Sequence, residues 1–165
     1  MPKLLFDFTD AGAAKAWAPI DDRVMGGISR STLRNDPAGH AVFEGTVSLD
    51  RNGGFASVRS TPAERGLPGA QAVVLEVCGD RRQFKLSLLT DDGFDSINYQ
   101  ATFAPDSAEW QTIRIPLTDF RASFRGREVP SAPPLDSSRI RQVGLLIAGR
   151  QKGPFSLQVR RIALS

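Results

Sequence analysis

Apolar and polar residues alternate with a period of two along most of the chain, a pattern that is typical of half-buried β-strands. The clearest example is the run 97–103, in which Ile97, Tyr99, Ala101 and Phe103 alternate with polar or small residues. Similar patterns occur at 73–78 and 84–89. Further runs of this kind are found at 4–8, 24–33, 41–49, 55–60, 110–115, 141–147 and 155–164. The pattern therefore predicts about ten strands.

The predicted strands are separated by clusters of Gly, Pro, Asn and Asp, with no long helical segments between them. This arrangement indicates an all-β, antiparallel sandwich or barrel and argues against a parallel α/β sheet. One short helical turn is predicted at 10–17, where Thr9 or Asp10 could cap an Ala-rich segment and Pro19 would end it.

The longest connection between predicted strands is 116–138, which contains Pro130, Pro133 and Pro134. It also carries Phe120 and Phe124, so we expect it to pack on the sandwich. Long connections of this kind are often functional, but covering a sheet edge would serve equally well, and both interpretations stay open.

Composition limits the chemistry that is available. The 165 residues are 41% hydrophobic, which suits one domain spanning 1–165, and 21 basic against 18 acidic residues give a net charge of +3. The basic residues are scattered, so we expect no nucleic-acid partner. Cys78 and His40 are the only residues of their types, which excludes an internal disulfide, a Cys-based zinc site and a His-rich metal centre. We expect no metal and no cofactor.

The first residues lack an apolar stretch of signal-peptide length, and no apolar run is long enough to span a membrane. We therefore expect a cytoplasmic protein without a membrane span.

Two Gly-Gly pairs are the most unusual local feature. The first lies in DRVMGGIS at 22–29 and follows Asp21, and the second lies in NGGFASVR at 52–59. Glycine inside a strand marks a bulge or the close approach of another backbone or a ligand. A hairpin turn at Asn52-Gly53 and a bulge at 26–27 would explain the same residues without a site.

Together these segments resemble the complex I intermediate-associated protein 30 family. The resemblance includes FEGTVSL at 43–49, GDRRQFKL at 79–86, Trp110, IPLTDF at 115–120, RGR at 125–127 and GPFSL at 153–157, and spans nearly the whole chain. It implies a jelly-roll β-sandwich of the galactose-binding-domain-like type. Mitochondrial members of the family are assembly factors for respiratory complex I and act by binding partners.

Elsewhere in the family the domain accompanies a short-chain-dehydrogenase-like domain. This sequence shows neither a mitochondrial transit peptide nor an appended dinucleotide-binding domain, so we expect a free-standing bacterial member.

The resemblance predicts a non-catalytic, chaperone-like assembly factor that binds a partner protein, with respiratory-chain subunits as the first candidates. We expect its contact surface around 22–29, 52–59 and the 117–136 loop. The predicted binding residues are Asp22, Arg23, Met25, Gly26, Gly27, Ser29, Asn52, Gly53, Gly54, Phe55, Arg59 and Gln100. We also expect Asp22 to pair with Arg59, since carboxylates in such motifs usually have a cationic partner.

A carbohydrate-binding module is the alternative function. Asn98, Gln100 and Thr102 share one face of their strand, as do Lys85 with Ser87 and Ser57 with Arg59. If these faces combine on one sheet, they form a polar platform for a sugar. Trp17 and Trp110 are the aromatic residues that could stack on the ring, although we expect Trp110 to lie in the core.

A few other residues could carry chemistry, but each has a simpler structural explanation. A hydrolase built on Asp21, Asp22 or Glu44 is a remote alternative, because the chain shows no converging titratable groups. Asp91, Asp92 and Asp95 could bind calcium or form a solvated loop. His40 has no nearby partner in sequence, so we expect it to be a surface residue, and we expect Cys78 to be a small buried hydrophobe.

Overall fold

The computed structural model describes residues 2–20, 30–48, 55–79, 82–93, 96–106, 108–124, 127–148, 151 and 153–165. Within these residues the chain forms thirteen strands, numbered here in chain order, which build two antiparallel sheets packed face to face. The predicted all-β sandwich is confirmed.

Sheet I has a long strand, β13, at its centre. In spatial order its strands are β3 (Arg30–Asp36), β4 (His40–Val47), β13 (Gly153–Leu164), β6 (Ala72–Gly79) and β9 (Gln111–Pro116), with β1 (Lys3–Asp7) also paired to β13. The first half of β13 pairs with β4 and its last residues pair with β1, while β6 lies along its other side. β13 therefore holds three other strands in place.

Sheet II carries the strands that concern function. In spatial order they are β11 (Arg127–Glu128), β10 (Arg121–Phe124), β8 (Asn98–Phe103), β7 (Phe84–Leu89), β12 (Gln142–Ile147), β5 (Ala56–Ser60) and β2 (Trp17–Pro19).

Each predicted strand is found, although β3 is described only from Arg30 onward. The sequence pattern missed β2, β10 and β11.

The 116–138 connection is an edge structure that extends sheet II beyond β8. A 3-10 turn (Leu117–Asp119) leads into β10 and β11, and a second 3-10 turn (Ser137–Arg139) leads out. Phe120 is buried, as expected, whereas Phe124 stays 36% exposed. Tyr99 fastens the segment, because its hydroxyl donates to the Pro133 carbonyl at 2.7 Å. The connection thus covers a sheet edge.

The predicted N-terminal helical turn is a short 3-10 helix (Ala13–Ala16). Its N-cap is Gly12, so the expectation that Thr9 or Asp10 caps it was wrong. The Asp10 carboxylate instead accepts the Gly12 N–H at 2.9 Å in a turn before the helix. The helix ends at Ala16, because Trp17 is already extended in β2, and Pro19 has no part in ending it.

The core lies between the two sheets. Phe43 and Phe155 from sheet I meet Phe84 from sheet II, with ring centroids 4.9 to 6.4 Å apart in edge-to-face geometry. A second aromatic cluster joins Phe6 of β1 to Trp17 of β2, with ring centroids 4.9 Å apart. Burying each of these side chains stabilises the fold by about 1.5–3 kcal/mol.

Candidate functional site

The outward face of sheet II collects the polar residues that the alternation predicted. In β8 the side chains of Tyr99, Ala101 and Phe103 are buried against the core, so Asn98, Gln100 and Thr102 point outward. The pairing registers place them beside the outward residues of neighbouring strands. We call this surface, made of the outward positions of β5, β7, β8, β10 and β12, the polar face.

One continuous row of residues crosses the polar face. Successive strand pairings align Arg121 with Gln100, Gln100 with Ser87, Ser87 with Gly144, and Gly144 with Arg59. Four inter-strand spacings of roughly 4.8 Å separate the two arginines, so this central row is about 19 Å long. It joins β5, which ends the 52–59 segment, to β10, which lies in the 117–136 segment.

The middle of the central row is buried. Ser87 is only 5% exposed although it points away from the core, and Gly144 beside it is also buried. A Cβ added at Gly144 would meet the Ser87 hydroxyl. The small pair is therefore covered, and the longer side chains of Gln100 and Arg59 lie on either side of it.

The charge of the polar face is one-sided. A second row aligns Thr102, Lys85, Leu146 and Ser57. In these five described strands the outward positions carry Arg59, Lys85 and Arg121 and no carboxylate. The face thus presents cationic and amide groups, which suit a ligand or partner that offers carboxylate or carbonyl oxygens.

A buried amide fixes the rim of the polar face. Gln142, at the start of β12, is 4% exposed, and its side-chain nitrogen donates to the carbonyls of Asp91 and Gly93 at 2.9 and 3.0 Å. Next to it, Arg141 donates to both oxygens of Asp92 at 2.7 and 3.2 Å. This hydrogen bond holds the pKa of the Asp92 carboxyl below its ordinary value. The loop after β7 is therefore tied to β12.

These contacts bear on the calcium hypothesis. Asp92 is engaged by Arg141, and Asp91 accepts the Gly93 N–H at 2.9 Å, while Asp95 lies outside the described residues. In the part of the chain that the structure describes, no three His, Cys, Asp or Glu side chains group as metal ligands would.

Most predicted binding residues lie outside the described residues. These are Asp22, Arg23, Met25, Gly26, Gly27, Ser29, Asn52, Gly53 and Gly54, together with Asp21. The predicted pair Asp22–Arg59 therefore stays a prediction. Of the remaining three, Phe55 precedes β5, and Arg59 and Gln100 share the central row.

The described residues that flank the two glycine segments lie together. Ile20 donates its N–H to the Ser57 carbonyl at 2.7 Å, and Arg30 pairs with Thr46 at the end of β4. Ser31 then bridges the two sheets, since its hydroxyl donates to the same Ser57 carbonyl at 3.1 Å. The described residues that flank these segments therefore lie at one end of the sandwich.

Sequence reasoning missed Arg121 and Gly144 in the central row. A signal for Arg121 was present, because FRASF at 120–124 alternates apolar and polar residues. Because prolines follow at 130, 133 and 134, the sequence indicates a connection over the whole segment and does not predict the strand. Gly144 carries no comparable signal, because its place opposite Ser87 depends on strand register.

The tryptophans and His40 differ in part from expectation. Trp17 is a core residue, 8% exposed. Trp110 is half-buried outside the core, so the expectation that it lies in the core was wrong. It packs edge-to-face against His40, with ring centroids 5.4 Å apart, and His40 is itself half-buried. The alternating positions before β9 place this indole on the outward face of sheet I, opposite the polar face.

Cys78 and Glu44 also lie in sheet I. Cys78 is buried, as predicted, and its thiol donates to the Ala108 carbonyl at 2.9 Å. Glu44 accepts from Arg34 at 2.6 Å on the exposed side of β4. This ion pair accounts for the carboxylate that the hydrolase hypothesis invoked.

Solved structures share this architecture. The family 11 carbohydrate-binding module of a Clostridium thermocellum cellulase superimposes with a TM-score of 0.71 at 18% identity, covering 99% of this chain and 94% of that one. The CBM29-2 carbohydrate-binding module matches with a TM-score of 0.56 at 11% identity, covering 100% and 91%. At these identities the likeness shows the jelly-roll fold alone.

The model of the family described as complex I intermediate-associated protein 30 (CIA30) matches residues 6–159. The chain belongs to the CIA30 family. The resemblance drawn from the motifs is confirmed, whereas a bacterial origin stays a prediction.

The relatives within the CIA30 family are distant. The fission yeast protein C9E9.15 of Schizosaccharomyces pombe is 31% identical over 87% of this chain and 74% of its own length. Complex I intermediate-associated protein 30, mitochondrial, of Drosophila melanogaster is 25% identical over 98% of this chain. The Mus musculus protein of the same name is 24% identical over 95%. This chain spans only 62% and 54% of the lengths of the fly and mouse proteins.

The described residues include no helix with the length and apolar character needed to cross a membrane. A cytoplasmic location stays a prediction, since the fly and mouse relatives carry mitochondrial names.

Proposed function

We propose that this chain is a non-catalytic protein-binding domain that acts as an assembly factor, with a subunit or assembly intermediate of respiratory complex I as its partner. The observation that carries the proposal is the CIA30 family match over 6–159. Two relatives are named as intermediate-associated proteins of complex I, which supports protein binding as the common activity.

The polar face is the proposed contact surface. The central row links the 52–59 and 117–136 segments, which the family motifs marked, across a single sheet. A rigid sheet presents its side chains with little loss of conformational entropy on binding, and arginine is among the residues that contribute most to interfaces.

The chemistry of this face favours a partner that is rich in oxygen acceptors. Arg121 and Gln100 can donate to the carboxylates or backbone carbonyls of a partner. The three cationic side chains at outward positions, Arg59, Lys85 and Arg121, would also speed association with an acidic surface. They outnumber Glu128 of β11, which pairs with Ser123 and adds a carboxylate on the same side of sheet II.

The test is an affinity capture from lysate of the source organism, read by mass spectrometry. Wild type is compared with a Gln100→Ala/Arg121→Ala variant, and with a Thr112→Ala/Arg114→Ala control on the opposite sheet. All three must first show the same far-UV circular dichroism spectrum.

We expect respiratory-chain subunits with the wild type and the control, and a loss of at least tenfold with the polar-face variant. Equal capture by all three forms would remove the polar face from the proposal. Failure of every form to retain a respiratory-chain subunit would remove the assembly role.

A carbohydrate-binding module is the second candidate, favoured by the fold likeness to family 11 modules and by the amide and hydroxyl groups of the polar face. A β-1,3-1,4-mixed-linked tetrasaccharide is the probe, because a solved family 11 module is bound to that ligand. Saturable binding in calorimetry that Gln100→Ala weakens would favour this candidate, and no heat at millimolar sugar would count against it.

A further inference from the structure

Two consecutive arginines in β13 point to the same side of sheet I. Consecutive strand residues normally face opposite ways, but the register of β13 against β6 shifts between Val159 and Arg161. This β-bulge turns both Arg160 and Arg161 outward. Glu76 of β6 accepts from the Nε of Arg160 at 3.2 Å and from a terminal nitrogen of Arg161 at 3.1 Å.

Arg160 is held further by an aromatic pair. Its guanidinium lies 4.3 Å from the centroid of the Trp110 ring, a cation–π geometry, and His40 packs edge-to-face on the same indole. Together with Thr9 and the turn at 38–39 between β3 and β4, these side chains line an open cleft of about 460 Å³. The volume lies within the range of small-ligand sites.

The orientation of Arg160 leaves the fork formed by its two terminal guanidinium nitrogens available for hydrogen bonding to a ligand. Glu76 engages the Nε atom, and among the described residues no acceptor bonds either terminal nitrogen of Arg160. A guanidinium that is fixed by stacking and by one carboxylate is pre-organised to bind an oxyanion through two parallel hydrogen bonds.

The neighbouring carboxylates do not occupy the terminal nitrogens of Arg160. Glu76 is shared between Arg160 and Arg161, and Asp7 balances the second charge, so binding of an anion depends on the geometry of Arg160 and not on a net positive charge. Asp7 lies 3.7 Å from the Nε of Arg161, and its carboxylate already accepts two hydrogen bonds from Thr9. Asp7 therefore does not reach the fork of Arg160.

From these contacts we infer that the cleft formed by Trp110, His40 and Arg160 is an oxyanion site that binds a phosphate or carboxylate group. It lies on the sheet opposite the polar face, so its test is independent of the proposed function. The fluorescence of Trp110 is expected to change when an anion binds. An anion that hydrogen-bonds the stacked Arg160 guanidinium alters the electrostatic environment of this half-buried indole.

The experiment follows tryptophan fluorescence during titrations with inorganic phosphate, acetate and a short polyglutamate peptide, with ionic strength held constant by sodium chloride. Arg160→Gln removes the fork, and Arg114→Gln removes an exposed arginine from the same face as the matched control. Trp110→Phe identifies the emitting residue, because Trp17 is buried and gives a constant background.

We expect a saturable change with at least one probe, at least tenfold weaker in Arg160→Gln, unchanged in Arg114→Gln and absent in Trp110→Phe. A response to phosphate would identify a phosphate-bearing ligand, and a response to acetate or polyglutamate a carboxylate-bearing one. No saturable change with any probe, or equal binding by Arg160→Gln, would overturn the inference.

Discussion

Arg121 and Arg59 lie on one row of paired residues in sheet II, although Arg121 belongs to β10, which follows β9, and Arg59 follows a glycine-rich segment. The three strands between them supply Gln100, Ser87 and Gly144. Two segments that are far apart in sequence thereby share a single surface. An extended segment of a partner that lies along this row could contact both arginines.

Replacing Phe84 by alanine is expected to lower the free energy of unfolding by about 3–5 kcal/mol, because Phe84 links the aromatic residues of both sheets. Denaturant unfolding followed by circular dichroism measures the change. Phe124→Ala is the matched control, since the Phe124 ring is 36% exposed, and it should cost less than half as much. Similar losses in both variants would contradict the assignment of Phe84 to the shared core.

Replacing Gly45 by alanine should destabilise the protein by about 1–3 kcal/mol, because the added Cβ would collide with the backbone of Arg30 and Ser31 in the neighbouring strand. The melting temperature is the measurement. Gly12→Ala is the control, because a Cβ there meets only the Asp10 carboxylate at an ordinary 3.5 Å. An unchanged melting temperature for Gly45→Ala would show that β3 does not approach β4 this closely.

Removing the amide of Gln142 should cost about 1–3 kcal/mol, because two loop carbonyls lose their donor at a buried site. We expect Gln142→Ala to lower the urea midpoint without changing the slope of the transition. Gln71→Ala, at an exposed position, should stay within about 0.5 kcal/mol of wild type. If both variants unfold at the same midpoint, the loop after β7 does not depend on Gln142.

The Asp92–Arg141 pair predicts a pH-dependent contribution to stability. The hydrogen bond from Arg141 lowers the pKa of Asp92 in the folded protein, so the folded state favours the ionised carboxylate. The contribution is complete above the ordinary carboxyl pKa of 3.8 and is lost as the pH falls through the lowered folded value.

Wild type and Asp92→Asn should therefore differ in unfolding midpoint at pH 7 and converge in strong acid. In an Arg141→Gln background the same substitution should have a smaller effect at pH 7. A difference that is constant from pH 7 to pH 2 would rule out this linkage.

The alternation of apolar and polar residues was enough to predict the strands that have two clear faces. The run 97–103 predicted both the core side of β8 and the outward position of Gln100, because a strand period of two assigns each residue to one face. β2 has only three residues, which is too short for any periodicity. β10 alternates correctly, but it follows a 3-10 turn and precedes a segment with three prolines, which suggests a loop.

The composition of the candidate sites could be predicted only in part. That Lys85, Gln100 and Arg59 would share a face required the pairing of strands from distant parts of the chain, and such registers depend on tertiary contacts. The cleft at Trp110 had no local signal at all. It depends on a bulge in β13 and on the β4–β13 pairing, which ends at Ala41 and Val159 and so brings the neighbouring His40 close to Arg160. Neither feature shows in a window of neighbouring residues.

Because β13 lies at the centre of sheet I but follows the other described strands of that sheet in sequence, sheet I can be completed only late in translation. β4 and β6 are translated long before residues 153–164, yet each needs those residues to complete its backbone hydrogen bonds. Until then the nascent chain exposes unpaired strand edges and the apolar surface that β13 later covers. The hairpin of β3 and β4 can form on the ribosome, but sheet I closes only when its late strand arrives, which makes cotranslational protection by a molecular chaperone most valuable in that interval.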